Sequence, residues 1–288
     1  MPLAHFGLVL LICLAWGGNF LAAAAALQQL PPFLFTALRL GVVLACLFTF
    51  LRPLPRDQWH RLAWVALLNG ALHFGLNFWA LRVAGDISST AVALQSYIPM
   101  SALLAVWLLG ERIPRRVVAG IVAAFGGVLV LGFDPLVLDA PAALLLTLVS
   151  AFTLALGTTL MRGMRGVGTF ELQAWSAVIG IPFLLVASLL FEREQVSALA
   201  AADWRAWGGV LYSGLVASLV GHGLLYWLVQ RHPVSTITPY LLMAPMFAIG
   251  LGVMVWGDEP GPRLWLGAAM VLGGVLLISL RALPARGR

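Results

Sequence analysis

Asn69, His73 and Asn77 follow one another at i, i+4 and i+8 inside an apolar run, so on a helix they share one face. Ser218, His222 and Tyr226 repeat that spacing about half a chain later. Amide, imidazole and hydroxyl groups can hydrogen-bond a polar solute, and two imidazoles can titrate near neutral pH. Further polar or aromatic groups sit within apolar runs: Trp16 and Asn19 one turn apart, Gln95 and Tyr97 ahead of Pro99, Tyr240 ahead of Pro245, and Trp175. Each is open to a structural reading, because such residues in membrane helices often bond only a neighbouring helix. Taken together, the two stripes read as opposite walls of a wet cavity. Arg39 is the one charge well inside an apolar run, where insertion costs about 2.5–3.5 kcal/mol. It could bind a substrate carboxylate, hold backbone carbonyls or snorkel outward. HExxH, GxSxG and Walker signatures are missing, and there is no Cys/His cluster, so the sequence calls for no metal, no cofactor and no enzyme.

These residues must be carried by helices in lipid. The chain is 61% hydrophobic and 10% charged, with a mean hydropathy of +0.98, too few charges to cover a water-facing surface. Continuous rather than alternating apolar runs predict an all-α integral membrane protein. The net charge of +6 comes from arginines in short loops, which is a topology signal and gives no reason to expect nucleic acid. Cys13 and Cys46 both fall in apolar spans, as small packing residues. The basic n-region of a signal peptide is absent, so the first apolar run is read as a retained helix.

Taking roughly 20 apolar residues per crossing, the sequence predicts ten transmembrane helices near 3–26, 32–52, 61–82, 87–109, 116–133, 140–161, 169–191, 206–230, 234–256 and 263–281. Residues 192–205 read as a polar surface loop. Gly75, Trp79, Ser88, Pro99, Gly110, Gly120, Gly126 and Gly127 reappear as Gly223, Trp227, Ser235, Pro245, Gly257, Gly267, Gly273 and Gly274. Punctuation recurring in order is the mark of an internal repeat, with units at 1–136 and 137–288. An odd number of spans per unit makes the second five-helix repeat inverted, a common layout of secondary transporters with the substrate between the halves. Pro99 and Pro245 should bend their helices and act as hinges. Glu111 and Glu259 occupy matching places after the fourth and ninth spans, as caps or gates. With the N-terminus inside, twelve arginines fall on the cytoplasmic side against four outside, which puts both termini in the cytoplasm.

LAWGGNF at 14–20, TALRL at 36–40, the segment around Gln95, LGERI at 109–113 and the Gly-Gly pairs of the fifth and tenth helices together resemble the EamA family of the drug/metabolite transporter superfamily. The resemblance spans essentially the whole chain and is nearest to YddG-type amino-acid exporters. It implies a carrier of the bacterial inner membrane that exports amino acids or related metabolites. The second repeat departs from the pattern: SAFTLALG at 150–157 lacks a Trp matching Trp16, and the acidic motif is GDEPG, not GER. All eleven Asp and Glu fall in loops or at span ends, so no mid-membrane acid awaits a cation. The expected activity is therefore alternating-access export of small amphipathic metabolites, above all neutral or aromatic amino acids. Its partners are a small-molecule substrate and the lipid bilayer; the sequence leaves the oligomeric state open, a monomer among the options. A multidrug or cation exporter is the alternative within transport, and a membrane enzyme or lipid scramblase the alternative outside it.

Overall fold

The computed structural model describes residues 2–53, 56–110, 114–164, 167–229, 231–232, 237 and 240–279, and among these it is all helical, with no strand. Helix α1 is Leu3–Leu27. The Pro31-Pro32 pair then opens α2, Pro32–Leu47, with Pro32 in the first turn, where its missing N–H costs nothing. Helix α3, Trp59–Val65, runs without a break through a π-helical stretch, Ala66–Leu72, into α4, His73–Ala84. Helix α5, Ser88–Leu94, and α6, Tyr97–Leu109, flank a turn at Gln95–Ser96. They are followed by α7, Arg115–Leu131, the short α8, Pro135–Leu138, α9, Pro141–Met161, and α10, Thr169–Phe191. Helix α11 is Gln195–Ala201, and α12, Trp204–Leu211, passes through a second π-helical stretch, Tyr212–Gly221, into α13, His222–Val229. Helix α14, Met243–Leu251, ends in a third such stretch, Gly252–Trp256, and α15 is Pro262–Ser279.

Seven of the described runs are long and apolar enough to cross a membrane: Leu3–Leu27, Pro32–Phe50, Ser88–Leu108, Pro141–Met161, Thr169–Phe191, Trp204–Leu225 and Pro262–Ser279. Leu189 and Leu190 on α10 and Met254 beyond α14 are more than two-thirds exposed, as lipid-facing side chains are. The chain is a multi-pass helical membrane protein.

Three details refine the expectation. Residues 192–205 contain helix α11, built from Gln, Ala, Leu and other helix-compatible residues. The breaks near the prolines fall about one turn ahead of them, at Gln95–Ser96 before Pro99 and at Leu242 before Pro245. A proline ring clashes with the carbonyl four residues back, here at Gln95 and Leu241, so the helix yields there while the proline itself fits the next helix's first turn. Of the Gly-Gly pairs, one glycine each makes the close contact, helped by a more distant partner. A Cβ on Gly127 would lie 2.7 Å from the Gly267 carbonyl oxygen, and one on Gly120 would lie 2.7 Å from that of Gly274. Gly273 meets nothing within 4 Å. Helices α7 and α15 thus cross antiparallel, backbone on backbone. Elsewhere α2 packs on α10, α4 on α9, and α1 on α12, on the Tyr212–Gly221 stretch and on α14.

Candidate substrate site

The second π-helical stretch organises a polar cluster in the interior. A π-helix bonds i to i+5 and turns wider than an α-helix, so its carbonyls and side chains meet neighbours that an α-helix would not offer them. Here the Ser218 hydroxyl donates to the Ser213 carbonyl, five residues back, at 2.8 Å. The Ala217 carbonyl accepts the Trp16 indole N–H at 3.1 Å. The Ser213 hydroxyl donates to Asn19 Oδ1. Gly18 makes room for this contact between α1 and the stretch, because a Cβ there would meet the Tyr212 hydroxyl at 2.5 Å. The Trp16 and His222 rings stand 5.3 Å apart, and His222 Nδ1 lies 3.1 Å from the Ser218 carbonyl, to which it donates.

Arg39 enters this cluster from α2. It is only 2% exposed, so it does not snorkel. Its guanidinium lies 3.9 Å from the centre of the Phe74 ring and 5.5 Å from that of Phe78, and Nη2 donates to the Ser218 hydroxyl at 2.6 Å. Nε and Nη1 are buried with no partner. Among the described residues no carboxylate forms an ion pair with it, and the ring faces supply only part of what water would. A buried guanidinium with two free N–H directions is a receptor for a planar anion such as a carboxylate.

His73 comes from α4 and is tied to α9. The Ser150 hydroxyl donates to the His73 carbonyl at 2.8 Å, so it must accept from Nδ1–H at 2.9 Å. That leaves Nε2 of the neutral ring as an acceptor. The His73 ring stands 4.6 Å from that of Phe74, the ring that Arg39 covers. Either side of His73 on the stripe, Asn69 and Asn77 each bury a carbonyl oxygen that has no partner. Asn69 abuts Gly157 of α9.

The structure thus brings Trp16, Asn19, Arg39, His73 and His222 into one region, with Asn77 on the His73 stripe. Gln95 and Tyr97 sit at the α5–α6 break, both half-buried, and Pro99 and Pro245 are buried nearby in their helices' first turns. Trp175 stands elsewhere, donating to the Arg52 carbonyl and packing edge-on against Trp59 at 4.8 Å. Tyr240 is exposed and lies edge-on to Phe6 at 5.4 Å. The Tyr226 side chain lies outside the described residues. Ser213, Phe74, Phe78 and Ser150 were not singled out from sequence. For Ser213 the available signal was its five-residue spacing from Ser218, which is a π-helical period and not an α-helical one.

On the face remote from the N-terminus, carboxylates from one segment cap helices of another. Asp258 accepts from the Ile87 and Ser88 amides and, at 2.6 Å, from the Ser88 hydroxyl, at the start of α5. Asp134 accepts from the Leu264 amide, at the start of α15, at 2.8 Å. Glu192 accepts from the Phe33 and Leu34 amides at the start of α2. Helix N-termini carry unsatisfied donors and a partial positive charge, so each cap joins two parts of the chain. The expectation for Glu259 is corrected here: it is exposed, and its neighbour Asp258 makes the cap. Glu111 lies outside the described residues. Asp86, in the loop between α4 and α5, caps its own helix through the Ser89 amide and hydroxyl. Burial outweighs those two bonds and raises its carboxyl to about 6.

The EamA-like transporter family matches residues 5–133 and again residues 141–280. A probable amino-acid metabolite efflux pump of Escherichia coli (strain K12) is 27% identical over 278 residues, covering 94% of this chain and 93% of its own. The protein of the same description from Salmonella typhimurium is 28% identical over 284 residues, with the same coverage of both chains. A solved crystal structure superimposes with a TM-score of 0.64 at 21% identity, over 99% of this chain and 100% of the other, and shares the fold.

Proposed function

The chain belongs to the EamA-like transporter family, and from that membership we propose that it exports neutral or aromatic amino acids across a bacterial inner membrane. Membership makes it a membrane transporter of small molecules, not an enzyme. In our reading it is a secondary carrier of ten spans, built as inverted five-helix repeats at 1–136 and 137–288, with both termini cytoplasmic. The antiparallel α7–α15 crossing and the α2–α10 contact support a pseudo-twofold relation between the halves. In this reading it acts without nucleic acid. Substrate alternately meets the two aqueous sides at a site between the repeats.

The observation that carries the substrate class is Arg39, a buried cation with Nε and Nη1 unpartnered. The carboxylate of an amino acid fits those two donors, and the ring of Trp16 and the Phe74–Phe78 wall suit an apolar side group. His73 Nε2, Asn77 Oδ1 and His222 are acceptors available to the amino group, and Gln95, Tyr97 and Asn19 line the approach. Trp175 and Tyr240 serve the entry from the cytoplasmic end. The relatives described as amino-acid metabolite efflux pumps point the same way. A permanent cation, in contrast, would meet Arg39 with no acid to offset it.

Counterflow in proteoliposomes tests this. Unlabelled phenylalanine or leucine inside should drive saturable uptake of the labelled amino acid, with no competition from tetraphenylphosphonium. Competition by the cation alone would replace the reading with a cation exporter, and movement of labelled lipid without solute flux would replace it with a scramblase.

A further inference from the structure

At the face remote from the N-terminus, Pro31, Pro32 and Phe33 of the α2 entry, Trp79 and Arg82 of α4, and Phe191, Glu192 and Arg193 of the α10 exit surround a cleft of about 260 Å³. Its wall is aromatic: the Phe33 ring stands 5.4 Å from Trp79 and 6.4 Å from Phe191. Its rim is cationic. Arg82 and Arg193 are both exposed, and neither forms an ion pair among the described residues. Arg82 has one contact, to the Leu30 carbonyl at 3.4 Å, and Arg193 has none among the described residues.

The acid in the cleft does not offset them. Glu192 Oε1 accepts from the Phe33 amide at 2.6 Å, and Oε2 accepts from the Leu34 amide and the Ser188 hydroxyl. Its charge faces the positive end of α2 and is spent there. The cleft therefore presents two unpaired guanidiniums above an aromatic wall, at a helix end where water meets lipid.

The sequence sharpens the point. Arginine is depleted from the face opposite the arginine-rich loops. Among the described residues, the arginines of that face are Arg82, Arg193, Arg205 and Arg263. Arg263 is bound to the Phe133 carbonyl at 2.8 Å, and Arg205 lies against the Trp204 ring, 5.6 Å from its centre. The remaining two share one cleft.

We propose that this cleft is a binding site for the headgroup of an anionic phospholipid, with the phosphodiester between Arg82 and Arg193. At about 260 Å³ the cleft is below the ~300–1,000 Å³ of pockets that enclose a whole small molecule. It takes a headgroup and leaves the acyl chains outside, along the exposed Leu189, Leu190 and Phe191 side chains of α10. Trp79 and Phe33 pack against the glycerol region, where aromatic rings concentrate at membrane interfaces. Because the cleft joins α2, α4 and α10, a lipid bound there clamps together segments from both parts of the chain. The site is independent of what the transporter carries.

Native mass spectrometry of the full chain in detergent, titrated with phosphatidylglycerol and with phosphatidylcholine, tests it. One phosphatidylglycerol should bind in preference to phosphatidylcholine. Arg82→Gln and Arg193→Gln should each weaken it roughly fivefold, the size expected for one arginine at a charged lipid. The double variant should lose the preference. The double Lys variant, which keeps both charges and guards against misfolding, should retain most of it, and Arg205→Gln should retain all of it. An unchanged preference in the double Gln variant, or equal loss in Arg205→Gln, overturns the site. Saturation by glycerol 1-phosphate alone, with the same arginine dependence, makes it a site for a soluble anion and overturns the lipid assignment.

Discussion

At the scale of single residues, the polar stripe on α4 contains two kinds of group. His73 is bonded on both sides of its exchange with Ser150, whereas the Asn77 carbonyl oxygen is buried and unpaired. Removing a partner from a buried bond costs about 1–3 kcal/mol, and removing an already unpaired acceptor costs no bond. His73→Ala should therefore lower thermal stability in detergent as well as flux. Asn77→Ala should reduce amino-acid counterflow while its unfolding temperature stays within a degree or two of the parent. A stability loss in Asn77→Ala as large as in His73→Ala would make both residues packing. Arg39→Gln should abolish counterflow but leave the protein folded, since a neutral amide costs less to bury than a partly unpartnered charge. Full counterflow by Arg39→Gln would remove the guanidinium from the site.

Asp86 belongs to the same scale and gives the protein a pH dependence. Its folded carboxyl is raised to about 6 by burial, above the unfolded value of 3.8. The folded state therefore holds the proton more tightly, so the contribution of Asp86 is full below about pH 4 and is lost as pH rises through about 6. Thermal unfolding scanned from pH 4 to 7 should show the unfolding temperature falling through that window. Asp86→Asn, which still caps Ser89, should flatten the fall. A slope identical in parent and variant would place the titration elsewhere.

Among the helices, the α7–α15 crossing and the proline breaks do opposite work. The crossing is rigid because backbone meets backbone: a Cβ on Gly127 would fall 2.7 Å from the Gly267 oxygen and 2.8 Å from Met270 Cβ. Neither atom can swing away, so Gly127→Ala should cost about 1–3 kcal/mol, as overpacking does, and reduce folded yield. Gly273→Ala, with nothing within 4 Å, should be neutral. Equal yields of the two variants would contradict the crossing. The break at Gln95–Ser96, by contrast, leaves a joint between α5 and α6. Pro99→Ala restores the missing donor and should straighten that joint, slowing exchange more than it weakens substrate affinity. Turnover unchanged in Pro99→Ala, in Pro245→Ala and in their double variant would discard the hinges.

At the scale of the whole molecule, polar contacts tie distant segments together across the face remote from the N-terminus. Asp258, Asp134 and Glu192 each tie the start of one helix to a distant segment, and the Trp256 indole donates to the Gly85 carbonyl at 2.9 Å across the same face. In the orientation we propose, with cytoplasmic termini, these contacts lie on the outer side. In intact cells, with the native cysteines replaced, a cysteine at Ser197 should react with a membrane-impermeant maleimide, and one at Arg162 only after permeabilisation. The reverse pattern would invert the topology and turn that face inward.

Much of this was legible in the sequence because lipid leaves a chain few choices. Continuous apolar runs must become helices, since no water is present to satisfy an open backbone, and that fixes the all-α class without any tertiary information. Repeated glycines and prolines mark where helices approach or bend, because those residues act through their own backbone, and Arg39, His73 and His222 stood out because polar groups in lipid need partners. Which partner each one takes is another matter. Spacing places Asn69, His73 and Asn77 on one face but not what that face meets, and only the packing of α4 on α9 gave His73 its bond to Ser150. The same holds for the carboxylates: sequence pointed to Glu259, and the fold brought Asp258 to the start of α5. The π-helical stretch that presents Ser218 to Arg39 left no mark that an α-helical period could detect. Local rules read the type and periodicity of an element, whereas a partner from a distant segment is chosen by the packing of the assembled helices, which no local spacing encodes.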